Sequence, residues 1–186
     1  LLMELIGISG YLLASCAYLV FILLLLAARN NTLSGRLVLM ASILVLASSS
    51  TAALQIDNTV SMHLVLFIET FKLAVWSLLI LSTQANVNSI KKAFMQPKIR
   101  KYLLIWAVLS CLCWAGALWQ PQGTKYLFSL FLLLNLWLMV LLEQLYRNAD
   151  VKVKWALWSL IIALGMSTVF DFILFAQAAM VNQLDF

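Results

Sequence analysis

Charge is what this sequence has least of. Only 10% of its 186 residues are Asp, Glu, Lys or Arg, and 65% are hydrophobic. A soluble domain carries roughly 25% charged and 45–50% apolar residues, so a water-covered globular surface is excluded. Proline is nearly missing: Pro97 and Pro121 are the only two, and both fall in connections between apolar runs, where a missing N–H does no harm. Histidine is down to His63, which rules out a histidine cluster for a metal. At a span end, this residue reads as amphipathic trim or as a pH-sensing group. The three cysteines, Cys16, Cys111 and Cys113, all sit inside apolar runs, which implies small packing residues rather than disulfides or a metal site. Cys111 and Cys113 are two apart, so a helix points them to different faces and they make a poor metal pair. With no glycine-rich phosphate loop and no nucleophile beside a base, this segment carries no catalytic site.

Apolar runs near twenty residues long are what the chain has instead. A bilayer core about 30 Å thick needs roughly twenty helical residues to cross, and helices are the open choice in lipid because their backbone groups bond within the segment. The expected fold is an all-α polytopic helical membrane protein with spans at about 5–28, 37–54, 63–82, 102–119, 125–142 and 155–178. Residues 1–186 read as one transmembrane domain. The opening LLMELIGISG has no basic region before its apolar run, so it reads as a retained first helix and not as a signal peptide.

Ten of the twelve Lys and Arg residues fall in the first, third and fifth connections, on one side: Arg29 and Arg36; Lys91, Lys92, Lys98, Arg100 and Lys101; Arg147, Lys152 and Lys154. Lys125 stands at the opposite edge and Lys72 lies within a span. The positive-inside rule then places the N-terminus outside and these connections in the cytoplasm. Trp119 and Tyr126 mark the outer edge, and Tyr102, Trp106, Trp155 and Trp158 the inner one, as interfacial aromatic belts do. The net charge of +5 does not signal nucleic acid, because the bases are juxtamembrane, where anionic lipid attracts them. The lipid bilayer is the first expected partner.

Ionisable groups inside a span are costly and therefore informative. Glu69 and Lys72, three apart on one helical face, can pair within the third span, and Trp76 continues that face. Asp171 lies in the sixth span. At 1.5 Å per residue, Glu69 sits roughly 9 Å, Asp171 roughly 10 Å and Lys72 roughly 14 Å from the outer ends of their spans. Ser48, Ser49, Ser50 and Thr51 of the second span and Asn135 of the fifth fall in the same layer. Two readings stay open: a polar ligand or signal pocket of Glu69, Lys72, Asp171, Asn135, Ser49 and Trp76, or charges and serines that only hold helices together.

The stretch EQLYRN, Glu143, Gln144, Leu145, Tyr146, Arg147 and Asn148, is followed by Trp155, Gly165, the FDF of Phe170 to Phe172 and the closing Leu184 and Asp185. Together these resemble the PrsK sensor histidine kinases of the exosortase and PEP-CTERM protein-sorting system of Gram-negative bacteria. GRLVLMAS and the charged, tryptophan-bearing third span fit that family's second and third helices more loosely. Where this chain has the serine run, the family pattern leads one to expect a tryptophan, and in place of Lys72 an arginine, whose planar fork lysine lacks. The resemblance implies further membrane helices and then cytoplasmic GAF and kinase domains beyond Phe186. These would hold ATP and Mg, whereas no cofactor is expected in this segment. A start on Leu1, and a C-terminus outside after six crossings, fit such a longer protein, with an odd number of crossings still to come. The implied role is sensory input to a homodimeric kinase that passes phosphate to a response regulator governing exopolysaccharide and PEP-CTERM genes. A small transporter or channel with an intramembrane charged path is the alternative; it would show broken helices and inverted repeats, which the sequence does not reveal.

Overall fold

The computed structural model describes residues 2–27, 32–56, 60–85, 90–119, 124–149 and 151–181. Seven helices fill them: α1 (Leu2–Ala27), α2 (Leu33–Ile56), α3 (Met62–Gln84), α4 (Ile90–Met95), α5 (Pro97–Trp119), α6 (Thr124–Asn148) and α7 (Val151–Val181). All but the short α4 are long and apolar enough to cross a bilayer, which is the architecture of a multi-pass membrane protein. Arg29, Pro121, Leu184 and Asp185 lie outside the described residues, as do the side chains of Lys91 and Lys152.

The long helices from α2 onward outrun the expected spans at the basic ends, for local reasons. Thr32 caps α2: its Oγ1 accepts the Gly35 N–H at 3.2 Å and its carbonyl accepts the Arg36 N–H at 3.1 Å. Pro97 does not lie in an irregular connection as the sequence suggested. It is the first residue of α5, a position whose N–H has no helical partner anyway and where the fixed φ suits the helix. Gln96 alone separates α4 from α5, and backbone bonds continue on both sides of it, from the Gln96 N–H to Lys92 O at 3.2 Å and from the Arg100 N–H to Gln96 O at 3.0 Å. Glu143 and Arg147, four apart, carry α6 on past residue 142 to Asn148, with Arg147 in its last turn.

The chain divides into two compact units, Leu1–Leu79 and Ile80–Asp185, with the division inside α3. In the first, α1 packs along α2. No residue of α1 from Ser9 to Ala27 is buried, so most of this helix faces the surroundings. Its polar tie is Ser15, whose Oγ lies 2.9 Å from Ser49 Oγ and 3.3 Å from Ser50 Oγ on α2. Such contacts in membranes contribute about 0.6 kcal/mol on average and let backbones approach closely. Cys16 and Cys111 are exposed and Cys113 is half-buried; the first two lie on the outer surface and do not pack between helices.

In the second unit α6 is the axis, with α7 and α5 packed on it and α4 against α5. Leu127, Phe131, Leu134, Leu138, Leu141 and Leu145 are all buried, and their alternating spacing of four and three makes a straight seam along α6. Phe131 stacks on Phe175 of α7 with centroids 4.7 Å apart. Lipid is as apolar as these side chains, so shape and dispersion, not flight from water, hold this seam. Phe131→Ala should lower stability by about 2 kcal/mol, the packing share of a buried aromatic truncation, whereas Phe170→Ala, at a position 71% exposed, should change it little. Thermal unfolding of the detergent-solubilised protein measures both, and equal effects would contradict the seam.

Candidate functional site

Glu69 and Lys72 stand on one face of α3 with Val65 a turn before and Trp76 a turn after. Lys72 Nζ is 2.6 Å from Glu69 Oε2, and the two side chains are only 8% and 12% exposed. Trp76 is 8% exposed and Val65 fully buried, so the pair is sandwiched along its helix by apolar groups. Beside the pair, Thr70 Oγ1 donates to Leu66 O at 2.8 Å within α3. A close, buried ion pair of this kind offsets part of the desolvation cost of several kcal/mol that each charge carries in such surroundings.

The other expected pocket residues have different settings. Ser49 belongs to the first unit with Glu69, Lys72 and Trp76; its Oγ donates to Leu46 O at 3.1 Å and meets Ser15 of α1. Ser48 and Thr51 also turn back on their own helix, to Val45 O and to Ala47 O and Ser48 O. Most of the serine run therefore spends its donors within α2. Asn135 and Asp171 belong to the second unit. Asn135 is fully buried; its Nδ2 donates to Phe131 O at 2.9 Å, while its Oδ1 has no hydrogen-bond partner. Asp171 is half-buried on α7. It stands nine residues, about 14 Å of helix, before Met180, where the apolar part of α7 ends.

The EQLYRN stretch divides by face. Leu145 is buried in the α6 seam. Glu143 and Arg147 pair at 3.6 Å with side chains 66% and 75% exposed, a surface contact worth about 0.3–0.5 kcal/mol. Tyr146 lies 5.9 Å from the Trp158 ring, with Lys154 Nζ 5.3 Å from its centroid, so this motif joins α6 to α7 through an aromatic and cationic cluster. Sequence reasoning missed that cluster and the Ser15 hydroxyl; a lone serine amid the leucines of the first span was the available signal for the latter. Among the described residues no group of His, Cys, Asp and Glu is placed to hold a metal ion.

No protein-family model, curated protein or solved structure matches the chain.

Lys72→Leu should destabilise the protein by about 3 kcal/mol, at the low end for a broken buried pair because Glu69 can take up a proton. The Glu69→Leu/Lys72→Leu double variant should recover most of that loss. Thermal unfolding in nanodiscs reads the cycle; a single variant as stable as the parent would remove the pair as a constraint on the fold.

Proposed function

We propose that this chain is the membrane-embedded input domain of a sensor histidine kinase of the PrsK type, set in a bacterial inner membrane with its basic helix ends in the cytoplasm. The observation that carries the proposal is the buried Lys72–Glu69 pair at 2.6 Å in the middle of α3, taken with the sequence resemblance centred on Glu143 to Asn148. Charge at that depth is expensive and, when kept, commonly serves ion or signal pathways. A signal acts by binding two helix arrangements with different affinity, and a pair that is stable only while both charges stay matched gives such a difference. The cytoplasmic partner is a response regulator, reached through kinase domains of a homodimer that carry ATP and Mg.

Unbroken helices favour this reading over a transporter, since α2, α3, α5, α6 and α7 each run as one continuous helix and substrate sites in transporters are typically built on discontinuous ones. The test is phosphotransfer by the full-length protein in nanodiscs. Glu69→Gln and Lys72→Met should each shift autophosphorylation at least severalfold, by the order of magnitude that 1–3 kcal/mol of coupling allows, while leaving the kinase able to bind ATP. A reading frame that holds no kinase domain, or a kinase output indifferent to both substitutions, would refute the proposal.

A further inference from the structure

A cleft of about 380 Å³ opens in the second unit where the end of α3, the α4–α5 junction and the last turns of α6 meet. Its geometry is pinned twice: Gln84 Nε2 of α3 donates to Leu141 O of α6 at 3.0 Å, and Tyr102 of α5 meets Trp137 of α6 with rings 5.3 Å apart. Buried Ile99 and Leu141 form part of its apolar wall. The rest of its chemistry is unusual for this greasy chain. Gln84, Gln96, Gln144 and Asn148 bring four carboxamides to the lining, Tyr102 a phenol and Lys98 the one charge among the described residues there. No carboxylate stands among these residues, and the nearby Glu143 is engaged with Arg147.

Carboxamides and a phenol both donate and accept hydrogen bonds, which complements hydroxyl groups, the other common partners that do both. A single ammonium complements a single negative charge. The cleft also sits at headgroup depth: Gln84 closes α3, Asn148 closes α6, and Lys98 is in the first turn of α5, so its mouth lies where these helices leave the apolar layer. We propose that this cleft binds the headgroup of phosphatidylglycerol, with its phosphodiester against Lys98 and its glycerol hydroxyls against the carboxamides. Phosphatidylethanolamine carries the same phosphodiester, but its ammonium finds no carboxylate here. Phosphatidic acid offers the charge without the hydroxyls. The assignment uses none of the residues around Lys72; Gln144 and Asn148 belong to the stretch that carries the family resemblance, but they enter here through their carboxamides alone.

Native mass spectrometry of the detergent-solubilised protein, offered equal amounts of the three lipids, tests this. Phosphatidylglycerol should be retained preferentially. Lys98→Gln should cut that retention about tenfold, the equivalent of one charge-assisted hydrogen bond; Gln144→Leu should narrow the margin over phosphatidic acid, and Lys98→Arg should preserve binding. Lys125→Gln, at the opposite end of α6, should change nothing. Equal retention of the three lipids, a preference that survives both Lys98→Gln and Gln144→Leu, or displacement of the lipid by free glycerol 3-phosphate at matched concentration would each overturn the assignment.

Discussion

In a bilayer the backbone has no water to turn to, so every N–H and C=O must find its partner inside the protein. This one constraint selects helices for all six spans and sets their length near the thickness of the apolar layer. It also explains where irregular structure is allowed. Pro97 begins α5 and does not interrupt it, and the α4–α5 junction falls among basic residues at the end of a span, where unpaired backbone groups can be hydrated.

Polar side chains obey the same rule with fewer options. Within the spans several bond to their own helix, as Ser42, Thr51 and Thr70 do, reach a neighbouring helix, as Ser15 does toward Ser49, or pair at short range, as Lys72 does with Glu69. Near the helix ends they are freer. There the carboxamides of Gln84, Gln96, Gln144 and Asn148 line an open cleft, and Lys154 lies over the Tyr146 ring. The chain therefore carries two kinds of polar chemistry: a tight, buried ion pair in the middle of α3, and an open cleft lining rich in carboxamides near the helix ends, with Lys98 as its one charge among the described residues.

Much of this architecture is legible in the amino-acid sequence. Spans about twenty residues long, the i, i+3 spacing of Glu69 and Lys72, and the one-sided distribution of bases follow from helix geometry and solvation costs that act residue by residue. The extension of α6 to Asn148 is legible too, through the order of Glu143 and Arg147. The start of α5 at Pro97 is not, because proline marks a boundary without saying on which side the helix lies. The two exposed cysteines run against the expectation of packing residues, since lipid accepts a thiol as readily as a helix contact does.

By itself the sequence determined the class of this protein, the number of its membrane-capable helices and the identity of its costly intramembrane charges, because all three depend on the energy of single residues or close neighbours in an apolar solvent. Only the tertiary structure decided which side of each helix matters. Lys125, Ser129, Glu143 and Arg147 mark the exposed face at the ends of α6, but from Leu130 to Leu142 its one polar residue is the buried Asn135, so in this middle stretch no pattern separates buried Phe131 and Leu138 from exposed Leu133 and Leu136. In water that difference would be written into the sequence as an amphipathic pattern. In lipid both faces are equally soluble, and the choice falls to shape: Phe131 is buried because Phe175 stacks on it, and Gln84 and Gln144, far apart in sequence, share a cleft because α3 and α6 meet there.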